Sequence, residues 1–239
     1  MRPNKQKNRS AKADPSKIEF KPGNMLYPLP AVIVSCGDYK GKSNLLTIAW
    51  TGTVCTNPPM VYISVRPNRY SYSLIRDTQE FVINLTTEQM AYATDYCGVR
   101  SGKDHDKWAD CKLTPIPAKT VQCPMIAESP VNIECKVTQI QELGSHHMFL
   151  AEVTAVHVDA RFMDDKNTFH LEKAGLLAYS HGSYFNLGET LGSFGYSVQR
   201  ENNQTDKKKT QTKKSKPTKK NTKMGNGKKQ ATGANRTYQ

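Results

Sequence analysis

No stretch of the 239-residue chain is apolar over the about 20 residues that a membrane-crossing helix needs, so a bilayer span is not expected. The basic opening MRPNKQKNRSAKADPSK is not followed by an apolar segment, which argues against a secretory leader. No two of the six cysteines, Cys36, Cys55, Cys97, Cys111, Cys123 and Cys135, form a CxxC pair. Zinc-ligand spacing is therefore missing. Without an export signal, the thiols are expected to be free in a reducing cytoplasm. No GxGxxG follows a strand-like run, so nothing supports a separate Rossmann domain for a nicotinamide cofactor.

Acidic residues are scarce at both ends. Residues 201–239 carry twelve Lys/Arg against two Asp/Glu, and residues 1–17 carry six against one. The formal net charge of +13 therefore belongs to the ends, because residues 18–200 hold sixteen bases and eighteen acids. Reading the whole protein as a nucleic-acid binder would rest on an average that no part represents. The basic ends, the tail above all, offer nucleic acid a surface, and that reading is the alternative from a different functional class. The tail is mostly Lys, Thr, Asn, Gln and Gly, with too little apolar surface to offset the entropy of ordering. A disordered head (1–17) and a disordered tail (201–239) are expected to flank one folded domain over 18–200.

Within that domain, short β-rich runs predominate. Ala31–Ser35 and Leu45–Trp50 flank a turn-rich CGDYKGK, and Met60–Val65 alternates after Pro58-Pro59. Phe81–Leu85 is a fourth strand. Val131–Gln141 and Met148–Val158, separated by ELGSHH, read as a hairpin. Ser71 is placed to cap a short helix, and Thr86 with Gln89 fits a capping box opening a helix to about Tyr96. Residues 97–120 read as a long loop with short helical pieces. Strands outnumber helices and no βαβ repeat appears, so the expected fold is mainly β, an antiparallel six-stranded barrel with a few flanking helices.

The most informative stretch is residues 43–75. A strand ends in the polar, small-residue segment Ala49-Trp50-Thr51-Gly52-Thr53, and a later one ends in Arg66-Pro67-Asn68-Arg69 before Ser71 and Ser73. Arginines, hydroxyls and free N–H groups at a helix start suit a phosphate, and small residues beside them let a flat ring approach the backbone. An ordinary capped turn is the competing reading of the same residues. His146-His147 invites a metal reading, but neighbours on a strand point to opposite faces. No metal site is expected.

The ordered pieces LYPLPAVIVS, NLLTIAWTG, the NPP turn, SVRPNRYSYSLI, FVINL, YCGVRSGKDHDKW and LGSHHMFLAEV resemble the flavin reductase-like family, and within it the flavoredoxin type, over about residues 24–198. The resemblance implies an FMN-binding split barrel, usually a homodimer with the flavin near its interface. It implies FMN-dependent electron transfer, with NADH or NADPH as reductant and free flavin or a redox protein as acceptor. An electron carrier without direct NAD(P)H activity is the alternative within the family. Carried over by motif, Asn44, Trp50, Thr51, Gly52 and Thr53 would contact the flavin, with Arg69 and Ser71 at the phosphate or ribityl chain. Lys107 would point at FMN, and Tyr179 and Tyr184 would cover the ring. His146 would be the catalytic residue at the flavin edge. The serine at 145 replaces an acidic residue common in the family, which bears on nicotinamide handling. A terminal-phosphate site of this kind favours FMN over FAD.

Overall fold

The computed structural model describes residues 17–198. The basic head, apart from Lys17, and the Lys-rich tail lie outside the described residues. Contacts group the chain into one compact unit through Gly188 and a second from Glu189. All the elements named below belong to the first.

In chain order these are β1 (Leu29–Pro30), β2 (Val32–Gly37), β3 (Ser43–Ile48), β4 (Thr51–Thr56), β5 (Pro59–Val65), α1 (Tyr70–Thr78), β6 (Glu80–Leu85), α2 (Ala91–Val99), α3 (Lys107–Asp110), β7 (Pro115–Ile116), β8 (Met125–Ile126), β9 (Val131–Leu143), β10 (His146–Val158), β11 (Leu177–Ser180) and β12 (Ser183–Asn186). Seven of them form one antiparallel sheet in the order β3-β2-β6-β9-β10-β5-β4.

The edge strands β3 and β4 are joined only by Ala49 and Trp50. Such a link spans about 10 Å at most. The edges of a flat seven-stranded sheet would be about 29 Å apart at the usual strand spacing. The sheet must therefore curl until its edges meet. Register shifts in the β9–β10 ladder between Leu150 and Ala151, and between Val153 and Ala155, help it bend. This is the expected antiparallel split barrel with one strand more than the six expected. The added strand is β4, whose TGTVCT sequence and mostly exposed edge position carry almost no apolar alternation. A separate three-stranded sheet, β1-β11-β12, also forms.

Period-two alternation fills the barrel. Val32 and Val34, Leu46 and Ile48, Ile63 and Val65, Phe81 and Ile83, and Phe149 and Ala151 form one buried cluster, plugged by Ile75 of α1. The opposite faces of β2 and β3 send Ile33 and Leu45 into a second cluster with Met90, Ala93 and Cys97, on and just before α2. This is why every residue of β2 is buried. All six cysteines are free thiols.

Two expected caps do not form. Ser71 lies inside α1, whose N-cap is Arg69 with no side-chain cap bond, and its hydroxyl instead accepts from Asn44 Nδ2 at 2.7 Å. Thr86 donates its hydroxyl to the Ala31 carbonyl at 2.5 Å rather than closing a capping box, and a 3₁₀ turn at Glu88–Met90 precedes α2. In both places a tertiary hydrogen bond, to Asn44 of β3 or to Ala31 between β1 and β2, outcompetes the local one.

The 117–123 loop is tied to the barrel by Glu134 of β9, which is fully buried. Its carboxylate accepts from the Lys119 and Thr120 amides at 2.8 and 2.6 Å, from the Thr120 hydroxyl at 2.5 Å and from His157 Nε2 at 2.5 Å. Burial pushes the carboxyl pKa up, but these bonds, the Thr120 hydroxyl first, outweigh it and hold the value at about 2. The folded value lies below the unfolded one, so this contribution is complete above the ordinary 4.5 and is lost as pH falls from 4.5 toward 2. Glu134→Gln should flatten that acid slope in urea melts and cost about 3 kcal/mol at neutral pH.

Candidate functional site

One end of the barrel gathers the C-terminal ends of β3 and β5, the start of β10 and the ends of α1 and α2 around a groove. Its wider half, a cavity of about 380 Å³, is lined by Thr47-Ile48-Ala49-Trp50, Val65, Arg66, Arg69, Gly98, His146, Tyr179 and Tyr184 among others. Its narrower half, about 300 Å³, is lined by Asn44, Arg66, Arg69, Ser71, Arg100, Ser101, Gly102 and Lys107 among others. The halves share Leu46, Arg66 and Arg69, so they are continuous.

The wide half is partly aromatic. Trp50, on the two-residue link, packs against His146 with ring centroids 4.5 Å apart. Tyr179 and Tyr184 face each other across β11 and β12 at 5.5 Å. The Tyr184 hydroxyl donates to Asp95 Oδ1 at 3.3 Å, and burial together with that carboxylate pushes its pKa up to about 12. Ser145 Oγ and His146 Nδ1 are 3.0 Å apart, which orients the imidazole. Burial, then the charges of Arg66 and Arg69, pull the His146 pKa below its ordinary value, which favours the neutral ring.

The narrow half is cationic. Arg66 and Arg69 bracket the turn into α1, whose first N–H groups open the groove wall, and Arg100 and Ser101 follow the end of α2. Asn44 and Ser71 are buried and bonded to each other, pinning β3 to α1. Only glycine fits at 102, because a Cβ there would lie 2.0 Å from Asn44 Oδ1.

Lys107 is 2 % exposed. Its ammonium donates to the carbonyls of Leu45 in β3 and Cys97 in α2, both at 2.8 Å, which leaves one of its three protons uncommitted. Burial lowers its pKa from the ordinary 10.5. Besides lining the groove, this side chain staples α2 to the barrel.

Of the residues singled out in the sequence, Asn44, Trp50, Arg69, Ser71, Lys107, His146, Tyr179 and Tyr184 all line the groove. Thr51, Gly52 and Thr53 do not. They run along β4, where the Thr51 hydroxyl donates to the Tyr62 carbonyl at 2.6 Å and the backbone of Gly52 abuts the Tyr62 ring. Leu46–Trp50 supply that wall instead. Arg66, Arg100, Ser101 and Asp95 are additions. Arg66 and the Arg100-Ser101 pair sit in pieces that carried the resemblance, but only the approach of the α2 terminus to α1 joins them.

A flat, aromatic-lined slot running into a cluster of three arginines and hydroxyls fits a planar ring system carrying a phosphate, and the residues present match a flavin mononucleotide in shape and charge. These features define a flavin-type split barrel. The sequence profile of the flavin reductase like domain matches residues 24–188, and the chain belongs to that family. An uncharacterized protein of Archaeoglobus fulgidus is 32% identical over 142 residues, covering 59% of this chain and 78% of its own. Among solved structures, the flavoredoxin of Desulfovibrio vulgaris (Miyazaki F) is 28% identical, covers 77% of this chain and 100% of its own, and superposes with a TM-score of 0.71. The flavoredoxin of Methanosarcina acetivorans is 26% identical, covers 78% of this chain and 99% of its own, with the same TM-score of 0.71.

Two outcomes follow from the geometry. Lys107→Ala should lower stability by about 2–4 kcal/mol in urea melts without any flavin added, because two carbonyls lose a charged partner. In NMR titrations, His146 should titrate below the ordinary 6.5, and Arg69→Ala should move its midpoint up.

Proposed function

We propose that this protein is an FMN-binding oxidoreductase that takes a hydride from NADH or NADPH and passes electrons to free flavin or a redox protein. The observation that carries this reading is the continuity of the two half-grooves, aromatic at one end and cationic at the other. Bound FMN would supply the redox chemistry, accepting two electrons and releasing them singly or together.

The chain's own residues place and tune. Arg66, Arg69 and Arg100 offer charge-assisted hydrogen bonds to a phosphate, with the Ser101 hydroxyl beside them. Leu46, Ile48 and Ala49 present a flat wall, and Trp50 with His146 forms one rim of the slot. His146 has Nδ1 directed to Ser145, and Nε2 has no partner among the described residues. A neutral imidazole so held can give or take one proton at Nε2 at the ring edge.

Anaerobic mixing with NADH and with NADPH tests the reading. Bleaching of the oxidised-flavin band supports it, and a flavin that neither nucleotide bleaches leaves the electron-carrier function. Arg69→Ala should weaken FMN binding about tenfold. His146→Ala should bind FMN normally and slow its reduction by up to about 10²-fold in stopped-flow traces.

A homodimer belongs to the same proposal. Met25, Leu26, Trp50 and Val54 are exposed, and an apolar hollow of about 560 Å³ lies between the 23–29 segment and Trp50 and Tyr62. An exposed apolar surface beside a ligand groove favours burial against a second copy. Light scattering should give the mass of two chains, and a monomer at micromolar concentration rejects the dimer.

A further inference from the structure

The 97–111 segment supplies Arg100, Ser101, Gly102 and Lys107 to the narrow half-groove. A cysteine stands at each end of it. Cys97, in α2, is fully buried in the cluster with Ile33, Leu45 and Ala93. Cys111, just after α3, packs against the same cluster from a partly exposed position. The two thiols hydrogen-bond to each other with Cys97 as donor, since the bond raises the Cys97 pKa and lowers that of Cys111. Burial raises both thiols above the ordinary 9.0, and the Lys107 ammonium opposes it at both. Lys107 is tied to the backbone of each cysteine. Its ammonium donates to the Cys97 carbonyl at 2.8 Å, and its carbonyl accepts from the Cys111 amide at 3.2 Å. The Cys36 thiol, also near Lys107, is engaged elsewhere and donates to the Asn44 carbonyl at 3.6 Å.

We infer that Cys97 and Cys111 are a redox-active pair whose disulfide, formed by a peroxide, weakens the anion-binding end of the groove. Exposure and the direction of the thiol hydrogen bond assign the roles. Cys111, the partly exposed acceptor, attacks, and Cys97, the buried donor, resolves. The Cys111 sulfur, as thiolate, attacks one oxygen of hydrogen peroxide. The O–O bond breaks, and the departing hydroxide takes up the proton that Cys111 gave, leaving as water and a Cys111 sulfenic acid. The Cys97 sulfur then attacks the sulfenic sulfur. The S–O bond breaks, the S–S bond forms, and the hydroxyl leaves with the Cys97 proton as a second water. Two thiols together lose two electrons, and one peroxide is reduced to two waters. A disulfide holds its sulfurs about 2.05 Å apart, closer than two thiols in hydrogen-bond contact. Closing it draws the end of α3 toward α2 and displaces Lys107, which is bonded to both cysteines. The effect on FMN rests on the flavin reading above; the disulfide does not.

The test treats the full chain with hydrogen peroxide, alkylates it under denaturing conditions and maps the peptides by mass, in wild type, Cys111→Ser and Cys97→Ser. Wild type should give a Cys97–Cys111 linked peptide that dithiothreitol removes. Cys111→Ser should give none, and Cys97→Ser should stop at a Cys111 sulfenic acid that dimedone captures. In fluorescence titrations, peroxide-treated wild type should bind FMN about tenfold more weakly than the reduced protein, and dithiothreitol should restore the affinity. Cys111→Ser should titrate alike before and after peroxide. That reversal is read in wild type alone, so it holds even if substituting the buried Cys97 disturbs folding. Absence of the linkage overturns the inference, and so does a linkage made through Cys36 or only between chains. A Cys97–Cys111 disulfide that changes FMN affinity by less than about twofold overturns its control of the groove. A protein that forms the linkage but binds FMN in neither state supports the pair and overturns the flavin reading instead.

Discussion

The two-residue link between β3 and β4 is the constraint on which the rest depends. It obliges opposite edges of a seven-stranded sheet to meet, and curling the sheet is the way to satisfy it. Closure puts Trp50 on the seam. The end of β5 and the start of β10 pair there, through Val65 and His147, so Arg66 and His146 come to the same rim. A ring-sized slot with a charged end is thus a by-product of barrel closure. Its residues come from segments about a hundred positions apart.

Helix placement adds the second half. α1 inserts Ile75 into the barrel core while turning its N-terminus to the groove, and α2 covers the outer face of β2 and β3. Their facing ends would leave carbonyls of α2 close to an anion site, an unfavourable alignment for a phosphate. Lys107 offsets it by placing a buried cation on Cys97 O and Leu45 O. The side chain therefore supports the fold and the groove's positive potential together. Burial pushes the nearby Cys36 and Cys97 thiols up to about 12, which favours their protonated forms at neutral pH.

The electrostatics of the groove grade from one end to the other. Three arginines crowd the narrow half, Asp95 is the acid at the wide half, and burial, followed by the charges of Arg66 and Arg69, lowers the His146 pKa. The groove therefore carries positive charge at its narrow end and an imidazole at the rim of its wide end.

Alternating runs such as MVYISV and VNIECKVTQIQ determined strands on their own, because a barrel wall sorts side chains with period two whatever its neighbours are. The β9–β10 hairpin was legible for the same reason, and so was the grouping of arginines and hydroxyls at the turn before α1, where they are adjacent in the chain. The edge strand β4 was not, since its threonines and glycine carry no apolar rhythm and it is held by pairing to β5 alone. Nor were the true partners of Ser71 and Thr86, where a segment brought near by folding offers a better hydrogen bond than the local backbone. Arg100 and Ser101 joined the site only when α2 docked, and Thr51–Thr53 left its lining when β4 turned along the edge. Local sequence determined which segments are strands and which carry charge. Tertiary closure decided which of those charges face one another, because that depends on contacts between residues far apart in the chain.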